Sequence, residues 1–161
     1  MNYVGVDLGL NGAIALIQDG DVTLWDMPVF EVRKGIKTKR HYDIPAIKTI
    51  MAQFKAESSL ICIEDGQAMP GQGSVSMMSI GRGLGTWEGL LTGMGLPYRL
   101  VHPKTWQKGV GFVTGNPKGQ AYEIACRLYP HLKFKTKRGK IIDGRCDAVL
   151  IATYIKNTQC I

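Results

Sequence analysis

Apolar and polar positions alternate in three short runs at the start of the chain: residues 2–8 (NYVGVDL), 12–18 (GAIALIQ) and 21–27 (DVTLWDM). Gly-containing turns at 8–12 and 18–20 separate them, a pattern that predicts an antiparallel meander of three strands. The segment Pro28–Tyr42 has no apolar period and carries Arg33, Lys34, Lys37, Lys39, Arg40 and His41, so it reads as a basic loop or flexible hairpin. A helix is predicted from about Ile44 to Lys55: Asp43 can cap it, Pro45 suits its first turn, and Ile47, Ile50, Met51 and Phe54 share a face. Leu60–Glu64 reads as a buried strand, Gly66–Gly73 as a Gly/Pro-rich loop, and Ser74–Gly93 as a long helix.

That helix carries Gly81, Gly83, Gly85 and Gly89, each costing about 1 kcal/mol of helix propensity against Ala. Close packing on another helix or on a ligand backbone would offset the cost. Pro97–Val101 reads as a further strand, Pro103–Lys108 as a short helical turn, and Asn116-Pro117 as the cap of a helix running to about Tyr129. A basic segment with Lys133, Lys135, Lys137, Arg138 and Lys140 precedes a final helix that starts near Asp143 and runs through Ala148–Ile155. The order strand, strand, strand, helix, strand, helix, strand, helix, helix predicts an α/β fold, a mixed sheet covered by helices.

Length sets the scale: 161 residues suffice for one domain, 1–161, with a core that needs neither disulfides nor structural metal. No apolar stretch is long enough to span a bilayer and no signal-peptide pattern opens the chain, which predicts a protein neither secreted nor membrane-embedded. Twenty Lys and Arg against 13 Asp and Glu leave a formal charge of +7, suited to a polyanionic partner. Cys62, Cys126, Cys146 and Cys160 are widely spaced with no CxxC pair, so they read as reduced thiols in a cytoplasm-like compartment.

Three places could carry chemistry. Asp7 interrupts an apolar strand inside Gly5-Val6-Asp7-Leu8-Gly9, where it either caps the turn or needs a charged partner. Glu64 ends Leu60–Glu64, and strand alternation puts it on the face of Leu60 and Cys62 while Asp65 points the other way. Asp143 and Asp147, four apart, lie on one side of the last helix's first turn, where the helix dipole favours negative charge. Acids converging from separated segments form the oxygen-ligand set that a hard cation requires.

Four blocks, GVDLGLNGAIAL at 5–16, ICIEDGQAMPGQGSVSMMSIGRGLGTWEGLL at 61–91, HPKTWQK at 102–108 and DGRCDAVLIATY at 143–154, appear in this order. Over nearly its whole length the chain resembles RuvC-type Holliday junction resolvases of the RNase H-like superfamily, particularly their phage and chloroplast branch. The first block alone also resembles actin-like and sugar-kinase ATPases, but those need two lobes of this fold. The resemblance implies a five-stranded mixed sheet, three antiparallel strands followed by parallel ones, with helices on both faces.

It also implies a structure-specific endonuclease that resolves four-way DNA junctions by paired cuts, leaving 5′-phosphate and 3′-hydroxyl ends. The metal ligands would be Asp7, Glu64, Asp143 and Asp147, the last standing where some relatives have Glu. They would hold Mg²⁺, with Mn²⁺ able to substitute and two ions per site, and no nucleotide cofactor is implied. Lys118, with Lys104 and Lys108, would lie near the scissile phosphate; the chain departs from the family pattern in having Gln107 directly after Trp106. Gln67, Met69, Gln72, Ser76, Arg82 and Arg138 would join these lysines in contacting DNA.

The symmetry of the junction implies a homodimer, whose seam would be the Gly-rich helix: Gly81, Gly85 and Gly89 permitting close approach, Trp87 and Leu90 supplying apolar area. The location would be a bacterial or phage-infected cytoplasm, or an organelle for a mature organellar form. An RNase H acting on RNA–DNA hybrids and a non-cleaving branched-DNA binding protein are the alternatives.

Overall fold

The computed structural model describes residues 1–66, 71, 73–113 and 117–158, with the side chains of Lys34, Pro117 and Lys118 left out. The three alternating runs form β1 (Asn2–Asp7), β2 (Ala13–Gln18) and β3 (Asp21–Asp26), joined as an antiparallel meander. The basic segment then folds back as β4 (Val29–Lys34) and β5 (Lys37–Tyr42), a separate two-stranded ribbon. After α1 (Ile44–Met51) and a 3₁₀ turn at Ala56–Ser58, β6 (Ser59–Glu64) enters parallel to β1. Next come α2 (Ser74–Gly93), β7 (Tyr98–Val101) parallel to β6, α3 (Pro103–Gly109), α4 (Pro117–Leu128) and α5 (Asp143–Thr158). The main sheet has the order β3-β2-β1-β6-β7.

Strand alternation splits the apolar residues between two cores. Val4, Val6, Ile14, Ile61 and Ile63 face α1 and α2, packing on Ile47, Met51, Trp87 and Leu91. Ala13, Ala15, Ile17 and Cys62 face the other way, under α5, α4 and α3. Each fully buried large apolar side chain contributes roughly 1.5–3 kcal/mol, so both layers hold the sheet. The mixed five-stranded sheet with helices on both faces agrees with the α/β reading. No helix among the described residues is long and apolar enough to cross a membrane.

One contact fixes the geometry of the site end. A Cβ on Gly5 would lie 2.2 Å from the carbonyl oxygen of Ala148 and 2.3 Å from the amide nitrogen of Ala152, so the α5 backbone rests directly on β1. Gly144 makes a second such approach: its Cβ would lie 2.4 Å from Asn11 O, pinning the start of α5 to the β1–β2 turn.

Of the two readings of the basic segment, loop or hairpin, the structure has the hairpin, with Glu31 opposite Arg40 in register and Phe30 stacked on His41 at 5.6 Å between ring centroids. Two expectations need correction. Helix α1 stops at Met51 rather than continuing to Lys55, because the chain tightens through Gln53 N–H to Ile50 O and Phe54 N–H to Met51 O, delivering Phe54 to the core from outside the helix. Trp87 is fully buried within its own chain and supplies nothing to an external seam, whereas Gly81, Gly85 and Gly89 do face open space. Leu90 is half-buried against the core.

Candidate active site

The parallel register pairs Gly5 with Cys62 and Val6 with Ile63. One step further, Asp7 and Glu64 stand side by side at the ends of adjacent strands, on the face that α5 covers. Both are half-buried. Burial pushes the Glu64 carboxyl up to about 7, the charge of Asp7 adds to the rise, and a hydrogen bond from Trp106 opposes it. Asp7 is also raised, first by burial; the Gly9 amide counters this, and the charge of Asp143 reinforces it. Asp7 on β1 is therefore the acid that links Glu64 on β6 with Asp143 on α5.

The amide of Gly9 donates to Asp7 Oδ1 at 3.1 Å, so Asp7 caps its turn as well as belonging to the acidic group. Asp143 is exposed on the first turn of α5, and Asp147, one turn on, is half-buried. Burial pushes the intervening Cys146 thiol up to about 12, and both aspartates add to the rise. Arg145, between them, donates to both oxygens of Asp26 at 2.6 and 2.8 Å and to Lys133 O at 2.9 Å. The first turn of α5 is thereby tied to the end of β3 and to the basic segment. The guanidinium holds the Asp26 carboxyl below its ordinary range.

Among the described residues, no three His, Cys, Asp or Glu side chains converge closely enough to form a ready-made metal site. The donors nonetheless fit a hard divalent cation: they are carboxylates only, they repel one another, and no described basic side chain pairs with Asp7 or Glu64. A divalent cation would supply the missing countercharge.

Of the residues expected to contact DNA, Ser76 and Arg82 are exposed on α2, Lys104 and Lys108 are exposed on α3, and Arg138 is exposed in the turn closed by Thr136 N–H to Lys140 O. Arg82 lies in the cleft between α2 and the β4–β5 hairpin, where its charge and that of Asp7 both act on Tyr42. Gln67, Met69, Gln72 and the Lys118 side chain lie outside the described residues, as does Asn116.

The composition-based reading missed three side chains around the acids. Trp106 Nε1–H donates to Glu64 Oε2 at 3.0 Å. Arg40 donates to Leu10 O at 2.9 Å and to Asn11 Oδ1, while Tyr42 Oη–H donates to Leu8 O at 2.5 Å. Arg40 and Tyr42 are two apart on β5 and so share a face, from which they grip the turn that follows Asp7. A cleft of about 430 Å³ lies between this hairpin and α2, lined by Phe30, Lys39, Arg40, Val75, Met78 and Arg82 among others.

No protein-family model matches the chain. In an alignment 151 positions long that covers 83% of the chain, it is 25% identical to the chloroplastic Holliday junction resolvase MOC1 of Chlamydomonas reinhardtii; the match spans only 17% of that protein's length. Among solved structures, Thermus thermophilus RuvC in complex with a Holliday junction substrate aligns with a TM-score of 0.59 and 12% identity, covering 98% of this chain and 96% of that one. Thermus thermophilus RuvC by itself aligns with a TM-score of 0.59 and 13% identity, covering 99% and 97%. The chain therefore has the RuvC-type, RNase H-like fold.

Proposed function

We propose that the chain is a divalent-metal-dependent endonuclease that resolves four-way DNA junctions. The observation that carries this reading is the pairing of Asp7 and Glu64 on adjacent strand ends, under the acid-bearing start of α5, in a RuvC-type fold. The junction-bound T. thermophilus RuvC and the resolvase MOC1 support four-way DNA as the substrate. The +7 charge supports a polyanion, and binding should weaken steeply with salt.

In this reading Asp7, Glu64, Asp143 and Asp147 hold Mg²⁺, with Mn²⁺ able to replace it, at two ions per site. When bound, the ions neutralise charge at the reacting phosphodiester and activate the attacking water. Asp7 and Glu64 would hold the ions from the ends of β1 and β6, and Asp143 and Asp147 would hold them from the start of α5. Lys104, Lys108 and Lys118 add positive charge near the phosphate. Arg40 and Tyr42 keep the Leu8–Asn11 turn, and with it Asp7, in place. The products carry 5′-phosphate and 3′-hydroxyl ends.

Two matching cuts in a nearly two-fold substrate call for a C₂ homodimer, and the open Gly81, Gly85 and Gly89 face of α2 is the proposed seam. The free thiols of Cys62, Cys126 and Cys146 and the chloroplast address of the relative suit a reducing aqueous compartment, organellar or cytoplasmic.

The test is cleavage of an end-labelled immobile four-way junction, a duplex and an RNA–DNA hybrid in Mg²⁺, with wild type beside Asp7→Asn. Paired symmetric nicks confined to the junction, lost in Asp7→Asn while binding persists, are expected. Cutting of the hybrid would point instead to an RNase H activity, and junction binding without cleavage to a non-catalytic binding protein.

A further inference from the structure

Glu64 reaches the site from a strand end, and a glutamate side chain has several rotatable bonds with which to miss it. Trp106 removes much of that freedom. Its indole Nε1–H donates to Glu64 Oε2 at 3.0 Å across 42 residues of chain. The ring is 1% exposed and packs edge-on against Phe112, with centroids 5.5 Å apart and planes at 82°. An indole N–H can only donate, so the bond assigns Oε2 permanently as an acceptor. The other oxygen, Oε1, has no protein donor among the described residues.

The support behind Trp106 is equally fixed. Helix α3 starts at Pro103, with His102 Nδ1 accepting from Lys104 N–H at 3.2 Å. At its end Gly109 lies against Tyr154 of α5, where a Cβ would come within 2.5 Å of the ring. The helix that carries Asp143 and Asp147 thus also seats the helix that carries Trp106. Trp87 Nε1 is buried as well and has no hydrogen-bond partner among the described residues, which makes its resonance a reference for that of Trp106.

We propose that Trp106 is a positioning residue that holds Glu64 through Oε2 and so leaves Oε1 for the metal ion. This rests on the metal-dependent reading above. Groups that hydrogen-bond to a ligand from behind set its orientation, and their loss weakens metal binding roughly 10–100-fold.

Trp106→Phe keeps a ring in the core and deletes the donor. Calorimetric titration of Mn²⁺ into the full chain should show a Kd roughly 10–100-fold weaker than wild type, with junction affinity in EDTA unchanged. A second measurement needs no variant: in wild type, the assigned indole N–H resonance of Trp106 should move along the Mg²⁺ binding isotherm while that of Trp87 stays still. Unchanged Mn²⁺ affinity in Trp106→Phe, or a stationary Trp106 resonance at saturating Mg²⁺, overturns the proposal and leaves the metal site standing. Absence of any Mn²⁺ binding in wild type overturns the metal site and the role of Trp106 together.

Discussion

Glu64→Gln should make the metal-free protein more stable while abolishing cleavage. The folded state raises the Glu64 carboxyl from its ordinary 4.5 to about 7, through burial and the neighbouring Asp7 charge. Below pH 4.5 the group is protonated in both folded and unfolded chains and costs nothing. As pH rises from 4.5 to 7 the folded chain keeps a proton that the unfolded chain has shed, so native stability falls through that window and the full cost is present above it. At about 1.4 kcal/mol per pH unit the ceiling is about 3 kcal/mol; solvent at this half-buried site screens it to roughly 1–3 kcal/mol. The amide keeps an oxygen for Trp106 Nε1, so the substitution removes the charge without orphaning the indole. Urea denaturation in EDTA should therefore show the variant ahead by roughly 1–3 kcal/mol at pH 8 and level with wild type near pH 4.5. Adding Mg²⁺ should stabilise wild type and leave the variant almost unmoved. A variant no more stable than wild type at pH 8 in EDTA would refute the claim that burial and the Asp7 charge disfavour ionised Glu64 in the native state.

Two further outcomes follow from the glycines. Gly5→Ala should lose about 3 kcal/mol or more in urea denaturation, because its Cβ would meet the α5 backbone, which has no side chain to move aside. Gly85→Leu should raise the monomer's thermal midpoint modestly, by the roughly 1 kcal/mol of helix propensity it regains with nothing within 4 Å to obstruct it, yet convert a dimer to monomer in sedimentation velocity. A Gly85→Leu chain that still sediments as a dimer would move the seam elsewhere.

The placement of the acids was legible because it depends on local periods. Two-residue alternation puts Glu64 on the Cys62 face and Asp7 on the Gly5 face, and a four-residue step keeps Asp143 beside Asp147; none of this needs knowledge of the tertiary fold. Helix α2 shows where local periods stop deciding. Residues 83, 87 and 91 form one stripe at steps of four and residues 81, 85 and 89 form another, and only the position of the sheet determines that the first is inside. Trp87 was placed outward for that reason. The β4–β5 hairpin is largely charged and packs only Val29 and Tyr42 on the core, so its order comes mainly from pairing of one strand with the other and from the grip of Arg40 and Tyr42 on a turn about thirty residues earlier. The Trp106–Glu64 bond was hidden for the same reason: its partners meet only after β6 and α3 are placed.

The contact of Gly5 with Ala148 and Ala152 has a consequence for how this protein can change. Where a helix sits on a strand through interlocking side chains, drift in the size of those side chains alters the spacing between them. Here the spacing is set by main chain against main chain, which leaves no side chain at the contact to vary. The separation between the strand that bears Asp7 and the helix that bears Asp143 is thus insulated from substitution in the surrounding core. Sequence can diverge freely around that seam while the acids keep their mutual distance, provided that Gly5 and Gly144 stay.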